Sequence, residues 1–314
     1  MVISYKKYEV WSTDSYLAGI RRGDLCPVIL KNRRHIIAAQ LPKMITNTDI
    51  DQYAYAYFLV CYGKDEESKI FPIVKKLIVN NFPYAYSLYG LMLWNGIGVA
   101  QNKFLAVEYY QKSVKENIAF GKYNLGLLMV NGDGIYTPKN VEKGMELIRE
   151  AAFSGYADAL SFIGLSYYLG KNGYPMDKFE AFDFLTTGSY QDDVKCKYFL
   201  ATMYDKGEGY TDKDPKKAFE LRLKCAYLGD VKSMVYVGRE YFIGNIVEKK
   251  DDTAFYYFQE AAEAGNDEAM YYTGYCYYHG IGVCADWKSG IRWLEKAKAN
   301  GNKEAAEELR KIRR

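Results

Sequence analysis

Residues 266–301 decide the fold, and they read NDEAMYYTGYCYYHGIGVCADWKSGIRWLEKAKANG. This stretch contains two segments with a helical pattern, a Gly-x-Gly sequence between them and a glycine at its end. A similar unit recurs at intervals of 36 to 38 residues towards the N-terminus, so residues 83–301 hold six units. A unit repeated at a nearly constant period predicts a chain in which each repeat packs mainly against its neighbours.

Small residues recur at fixed places in both helical segments of each unit. The centre of the first segment is occupied, in successive units, by Gly90, Gly126, Gly164, Ala201, Gly238 and Gly274. The second segment holds two small residues seven positions apart, namely Ala106/Ser113, Gly144/Ala151, Ala181/Gly188, Ala218/Cys225, Ala254/Ala261 and Gly290/Ala297. A glycine inside a helix costs roughly 1 kcal/mol relative to alanine. Its recurrence in register therefore predicts that the two helix backbones lie in close contact.

Turns between the two segments carry Gly-x-Gly at residues 96–98, 132–134, 207–209 and 280–282. A glycine directly after a helix supplies the left-handed conformation that ends it. Glycine-rich loops before helices also bind phosphate, but these loops lack the Gly-x-Gly-x-x-Gly spacing and a preceding strand. The sequence therefore predicts structural turns rather than cofactor sites.

The repeats divide the chain into four predicted regions. They are an N-terminal helical or irregular cap region (1–49), a divergent capping repeat (50–82), the six repeats (83–301) and a C-terminal capping helix (302–314). The third of the six repeats has a longer connection, at residues 170–177, where Pro175 prevents a continuous helix. Terminal repeats of such chains are often atypical because one of their faces has no neighbouring repeat.

The N-terminal region offers two local features. Thr13 or Asp14 is expected to cap a short helix that ends at Arg22. Residues 31–35, KNRRH, form a basic cluster. This cluster is interpreted as a solvated surface, and a docking site for an acidic partner or nucleic acid is the alternative.

Charge and hydropathy restrict the function classes. The chain has 42 basic and 39 acidic residues, so its formal charge of +3 does not favour a polyelectrolyte partner. The N-terminus lacks the apolar core of a secretory signal, and the apolar run of residues 53–62 is too short to span about 30 Å of hydrocarbon. We therefore expect a soluble, cytoplasmic protein, with export by a signal-less route left open.

The repeat unit resembles a known family. The segment Ala269-MYYT-Gly274-YC-Tyr277-YH-Gly280-I-Gly282 is similar to the Sel-1-like repeat, a relative of the tetratricopeptide repeat. Residues 196–209 are similar to it as well. The resemblance covers residues 83–301 well and residues 50–82 weakly. It implies an all-α fold, a right-handed superhelical solenoid of antiparallel helix pairs, that binds or scaffolds other proteins and has no catalytic residues.

Cysteine positions argue against one branch of that family. Its secreted members join cysteines eight positions apart, from the end of a second helix to the start of the next first helix. Here Cys225 would need a partner at Ser233, and Cys196 would need one at Gly188. These disulfides therefore cannot form, and both cysteines stand where the repeat requires a small residue. The other cysteines have no metal-ligand spacing, so a reducing compartment is expected.

One face of each first helix is the predicted binding surface. Residues three before, one after and four after the central small residue lie together, and we call this set the first-helix face. The resemblance places this face on the concave side of the solenoid. The predicted partner-binding residues are Trp94, Tyr123, Tyr168, Tyr198, Asp205, Arg239, Phe242, Tyr271, Tyr275 and Tyr278. Tyrosine is common at interfaces, but the alternative that many of these residues form core between repeats stays open.

The sequence favours a binding protein over an enzyme. It has two histidines, His35 and His279, and neither can be placed in a Ser–His–Asp arrangement. We therefore expect a non-catalytic adaptor without cofactor or metal, which binds a peptide or helix of a partner protein in its groove. Asp205 and Arg239 would set the orientation of that segment. Two alternatives stay open: nucleic-acid binding by basic termini and stacked aromatics, and self-assembly through the solenoid ends.

Overall fold

The computed structural model describes Lys43 and residues 46–62, 67–132 and 135–312. These residues form fifteen α-helices and contain no β-strand. The predicted helix ending at Arg22 and the basic cluster at 31–35 lie outside the described residues. The chain divides into two compact units, which we call unit 1, ending at Asp193, and unit 2, beginning at Val194.

Both units are built from consecutive helices. Unit 1 contains α1 (Asp49–Tyr62), α2 (Glu67–Val79), α3 (Pro83–Asn95), α4 (Lys103–Lys115), α5 (Ala119–Asn131), α6 (Val141–Phe153), α7 (Ala157–Leu169) and α8 (Lys178–Ser189). Unit 2 contains α9 (Val194–Lys206), α10 (Pro215–Tyr227), α11 (Val231–Ile243), α12 (Asp251–Glu263), α13 (Asp267–His279), α14 (Trp287–Ala299) and α15 (Lys303–Ile312). Within each unit a helix packs mainly against those before and after it in the chain, as expected for a repeat protein.

Helix ends follow the turn chemistry predicted from the sequence. Gly96 and Gly280, which follow first helices, have φ angles of 74° and 70°, in the left-handed region that favours glycine. Five of the six second helices in the repeats begin after polar residues whose side chains accept a hydrogen bond from a first-turn N–H, and α12, which follows Lys250, is the exception. The five polar residues are Asn102, Asn140, Asp177, Asp214 and Asp286. The glycine after the first helix therefore ends that helix, and in five of the six repeats a polar capping residue then begins the second helix.

Close backbone contact explains the recurring glycines. A Cβ placed on Gly126 would lie 2.7 Å from the carbonyl oxygen of Gly144, and a Cβ on Gly144 would lie 2.7 Å from that of Gly126. A Cβ on Gly126 would also lie 2.7 Å from a side-chain carbon of Ile148 in α6. A methyl group at either glycine would therefore push α5 and α6 apart. The prediction that small residues mark the helix–helix contact is confirmed.

Cysteines at small-residue positions behave as packing residues. Cys196 and Cys225 are both 0 % exposed, and the Cys225 thiol donates to the carbonyl oxygen of Val194 at 3.6 Å. Burial raises the pKa of the Cys225 thiol to about 12, so it is not a reactive thiolate. No disulfide joins any two of the five described cysteines.

The segments at the two ends of the repeats are helical. Residues 49–62 and 67–79 form the pair α1 and α2, and Tyr53 and Leu77 of this pair are 1 % exposed in the core of unit 1. At the other end, α15 buries Ala305 and Leu309 against a cluster that includes Leu294 of α14. The assignment of both segments as caps stays a proposal. None of the described helices is long and apolar enough to cross a lipid bilayer.

Candidate functional site

The first-helix face differs between the two units. In unit 1 it consists of Ser87, Leu91, Trp94, Tyr123, Leu127, Val130, Ser161, Leu165 and Tyr168. In unit 2 it consists of Tyr198, Thr202, Asp205, Val235, Arg239, Phe242, Tyr271, Tyr275 and Tyr278. Four of the nine side chains are buried in unit 1 (Ser87, Val130, Ser161 and Tyr168), but only Val235 is buried in unit 2. Unit 2 therefore leaves more of this face available to a partner.

Aromatic rings on the face of unit 1 are engaged by the chain itself. The Tyr123 ring packs against those of Tyr156 and Phe162, with centroids 5.3 and 6.4 Å away. The Lys103 ammonium lies 5.0 Å from the centroid of the half-buried Trp94 ring. These two predicted binding residues therefore contribute to packing in unit 1.

Tyr168 does not lie where the sequence placed it. Its side chain is 6 % exposed, because the Lys178 ammonium of α8 lies 3.3 Å from the ring centroid and donates to the Tyr168 carbonyl oxygen. The prediction that Tyr168 is an accessible partner-binding residue is wrong for this reason.

Four predicted residues of unit 2 come together in one cluster. The Tyr275 ring lies 6.4 Å from Phe242, 6.1 Å from Tyr271 and 4.3 Å from His279, centroid to centroid. His279 also contacts Tyr278 at 5.0 Å. We call these five residues the C-terminal aromatic cluster. The four predicted members are half-buried, and His279, which sequence analysis did not assign to the site, is exposed.

An open cleft lies beside this cluster. Its volume is about 490 Å³, and it is lined by Arg239, Asn266, Asp267, Glu268, Tyr271, Tyr272, Asn302 and Glu304. The guanidinium of Arg239 approaches the Glu268 carboxylate at 3.4 Å, and both side chains are about half exposed. Tyr272 is held in place because its ring stacks on Phe258, with centroids 4.5 Å apart. Burial, with Glu308 and neighbouring tyrosines adding to it, raises the pKa of Tyr271 to about 12.

Asp205 is held by an arginine that sequence analysis missed. Arg222 of α10 contacts the Asp205 carboxylate at 2.5 Å, and its guanidinium lies 4.2 Å from the Tyr236 ring and 5.9 Å from the Tyr198 ring. In five repeats the equivalent position carries the large side chain that covers the central glycine. These residues are Tyr110, Ile148, Leu185, Phe258 and Leu294. The sequence contained a signal for this contact. At the repeat positions where the other repeats have a large apolar residue and a glycine, this repeat has Arg222 and Ala201.

A polar link joins the end of α13 to α15. Nε2 of His279 lies 3.4 Å from the carboxylate of Glu308, whose other oxygen is 3.1 Å from the Lys311 ammonium. Burial alone would raise the pKa of Glu308, but hydrogen bonds from Lys311 and His279 outweigh it and lower the pKa below its usual value. Among the described residues, no group of three acidic, histidine or cysteine side chains is placed to hold a metal ion.

A larger cleft in unit 1 was not predicted. It measures about 910 Å³ and is lined by α6, by Tyr167 of α7 and by the connection of the third repeat, including Met145 of α6 and Tyr174 of the connection. The Arg149 guanidinium donates to the Tyr174 hydroxyl at 3.1 Å, which fixes the connection against α6. The prediction that this connection is longer than those of the other repeats is wrong, because residues 132–140 and 207–214 join the helices of the second and fourth repeats over at least as many positions.

Comparison with protein families identifies the repeat. The model described as "Sel1 repeat" matches residues 83–117, 119–156, 194–230, 231–266 and 267–302, which together exceed half of the chain. Residues 157–193, the third of the six predicted repeats, are not among these segments. They nevertheless form the pair α7 and α8, in which a Cβ on Gly164 would lie 2.9 Å from Leu185.

Curated relatives are regulators from two yeasts. "Chitin synthase regulator SKT5" of Saccharomyces cerevisiae is 26 % identical over 226 residues, covering 57 % of this chain and 32 % of that protein. "Chitin synthase regulatory factor 2" of Schizosaccharomyces pombe is 25 % identical over 211 residues, covering 64 % and 41 %. The chain spans less than half the length of these relatives.

Solved structures share the fold. A Sel1 repeat protein from Oxalobacter formigenes superposes with a TM-score of 0.63 at 21 % identity, covering 96 % of this chain and 86 % of that one. The c5321 protein, a protective antigen of uropathogenic Escherichia coli strains with an SLR fold, gives 0.62 at 21 % identity, covering 96 % and 63 %. The predicted all-α solenoid of helix pairs is confirmed.

Proposed function

Since the chain belongs to the Sel1 repeat family, whose members are generally protein-interaction scaffolds, we propose that it is a non-catalytic adaptor that binds a partner protein through unit 2. The bound element would be a peptide or helix lying on the first-helix face. The observation that carries this proposal is the C-terminal aromatic cluster, four of whose rings stay half-buried beside an open cleft of about 490 Å³. No cofactor or metal is required for recognition of this kind.

Aromatic side chains suit this role for physical reasons. Tyrosine buries a large ring at little cost in side-chain entropy and keeps a polar hydroxyl at its tip. Such residues are enriched among those that contribute most to binding energy at interfaces. We propose Phe242, Tyr271, Tyr275 and Tyr278 as the contact residues, with Arg239 beside them. Asp205 and Tyr198, which contact Arg222, would form a second contact area in unit 2.

The relatives narrow the kind of partner. Relatives that match more than half of this chain are named as regulators or regulatory factors of chitin synthase in two yeasts. By similarity, we propose that the partner is an enzyme that the adaptor regulates, and that a chitin synthase is the first candidate. The cytoplasmic location stays a prediction.

Affinity purification with matched variants tests the proposal. The wild type, a Tyr271→Ala/Tyr275→Ala/Tyr278→Ala variant and a Tyr210→Ala/Tyr256→Ala control would be incubated with the same lysate. The control changes two tyrosines that are 65 % and 46 % exposed and lie outside the first-helix face of unit 2. We expect a protein that the wild type and the control retain and the triple variant loses, with unchanged helicity by circular dichroism.

Two outcomes would contradict the proposal. Equal retention by the triple variant would show that the aromatic cluster is not the binding surface. Retention of nucleic acid alone, with a steep loss of binding as salt rises, would favour the alternative function instead. Mass photometry over a concentration series would separate binding of a partner from self-association.

A further inference from the structure

The cleft beside the C-terminal aromatic cluster carries a net negative charge. Asp267, Glu268 and Glu304 line it together with one cation, Arg239, which gives the lining a formal charge of −2. Glu268 is partly neutralised because it pairs with Arg239, although a half-exposed pair at 3.4 Å is weak. The carboxylates of Asp267 and Glu304 make no ion pair with any described residue.

Helix dipoles account for only part of this arrangement. Asp267 and Glu268 lie in the first turn of α13 and Glu304 in the first turn of α15, where carboxylates are favourable. The helix dipole does not explain why the first turns of both helices line a single cleft beside Tyr271 and Tyr272. The charge is also felt inside the cleft. Burial is the main cause of the raised pKa of the Tyr271 hydroxyl, followed by Glu308, Tyr272 and Tyr275, and Glu304 of the cleft makes the smallest contribution.

The tyrosine rings here lack the cations that accompany others in unit 2. The Lys217 ammonium lies 4.4 Å from the centroid of Tyr204, and the Arg222 guanidinium lies 4.2 Å from that of Tyr236. A cation within about 6 Å of an aromatic face is attracted by the ring quadrupole. No described lysine or arginine lies over Tyr271 or Tyr272. Two tyrosine rings and two unpaired carboxylates in one open cleft are complementary to a cation that comes from another molecule.

We propose that this cleft binds a lysine or arginine side chain of the partner, next to apolar residues that pack on the C-terminal aromatic cluster. This inference rests on the proposed function, because it names the chemistry of the segment that the adaptor binds. The carboxylates of Asp267 and Glu304 would accept hydrogen bonds from the cation, while Tyr271 and Tyr272 present their rings to it. The same charge disfavours nucleic acid at this surface.

A positional-scanning peptide library tests the inference without a known partner. The immobilised peptides would be incubated with the full-length wild type, with Asp267→Asn/Glu304→Gln and with Glu220→Gln/Glu248→Gln. The last variant removes the same number of charges at exposed positions of unit 2 outside the cleft. We expect the wild type and this control to prefer lysine or arginine at one position by at least tenfold. The cleft variant should lose that preference.

A double-mutant cycle on the best peptide then tests direct contact. Replacing its basic residue by norleucine should weaken binding to the wild type at least tenfold, but should leave binding to Asp267→Asn/Glu304→Gln nearly unchanged. Peptides selected without a basic preference would overturn this inference and leave the proposed function standing. A wild type that selects no peptide would overturn both.

Discussion

The first helices of units 1 and 2 follow the same repeat pattern, but the residues next to their first-helix faces differ. Tyr123 in unit 1 and Tyr271 in unit 2 occupy the same position, five residues after the N-cap of their helices, Ile118 and Asn266. In unit 1 the N-cap of the following first helix is Tyr156, whose ring lies 5.3 Å from Tyr123. In unit 2 the residue at that place is Asn302, which lines the cleft beside Tyr271. At this position of the face, the residue before the next first helix therefore decides whether the tyrosine ring is covered.

The two units also start their first helices differently. Ile118 and Tyr156 cap no N–H group but are 8 % and 6 % exposed, so they serve the core of unit 1. In unit 2, Asp230, Asn266 and Asn302 accept hydrogen bonds at 2.8 Å from N–H groups in the first turn. A polar cap stabilises the helix start without adding a ring to the surface. At these positions unit 1 buries an additional apolar or aromatic side chain, whereas unit 2 leaves the aromatic residues of its first-helix face accessible.

Removing the covering ring from unit 1 should have the largest effect. Tyr156→Asn deletes a 6 % exposed aromatic side chain that contacts both Phe120 and Tyr123. Truncation of a buried aromatic residue costs about 3–5 kcal/mol. We expect a loss of that size in the free energy of unfolding by urea titration, together with greater exposure of Tyr123. A change below about 1 kcal/mol would show that Tyr156 does not support the closed face of unit 1.

Replacing the charged residue in the fourth repeat should increase or preserve stability. Arg222→Leu combined with Asp205→Asn and Ala201→Gly restores the apolar contact of the other repeats. Exchanging a buried ion pair for apolar residues is often neutral or stabilising by about 1–4 kcal/mol, and here Arg222 is buried, Asp205 is half-buried and the glycine at position 201 costs roughly 1 kcal/mol. Denaturant unfolding should therefore show no loss, whereas binding through Tyr198 and Asp205 should weaken. A clear loss of stability would identify the pair as a structural element of unit 2.

Adding one methyl group at the helix contact of unit 2 should cost somewhat less. A Cβ on Gly274 would lie 2.8 Å from Leu294 Cγ and 2.9 Å from the Gly290 carbonyl oxygen. Overpacking of this kind costs about 1–3 kcal/mol, so Gly274→Ala should lower the midpoint of thermal unfolding. Ala201→Gly is the reciprocal change and should cost roughly 1 kcal/mol, because glycine is a poorer helix former than alanine. A Gly274→Ala protein as stable as the wild type, or more stable, would contradict the register argument.

The link between α13 and α15 should produce the smallest effect, and only at acidic pH. The pKa of Glu308 is lowered in the folded protein, so its contribution is present above its ordinary value of 4.5 and is lost as pH falls through the lowered value. A pair of this kind contributes about 0.2–1 kcal/mol. Thermal unfolding between pH 3 and 7 should show a slightly steeper acid loss for the wild type than for Glu308→Gln. Identical pH profiles would contradict this assignment.

The scaffold could be predicted from the sequence because its signals are local and repeated. The central glycines, such as Gly126, and the capping glycines, such as Gly280, each fix one geometry wherever they occur. The open or closed state of the first-helix face was not recovered, because residues outside the first helix decide it. Lys178 covers Tyr168, Tyr156 covers Tyr123, and Arg222 forms an ion pair with Asp205. The difference between Tyr156 and Asn302 was visible in the sequence, but its meaning depends on knowing which ring each residue faces.

Binding of the best library peptide to Asn302→Tyr tests the central claim most directly. This substitution places in unit 2 the residue that covers the face in unit 1, while Asn302→Gly removes the same cap and leaves the cleft open. Glycine at an N-cap costs only a few tenths of a kcal/mol relative to asparagine. Isothermal titration should show at least tenfold weaker binding for Asn302→Tyr and nearly unchanged binding for Asn302→Gly. Wild-type affinity in a folded Asn302→Tyr protein would contradict the claim that the open face of unit 2 is the binding site.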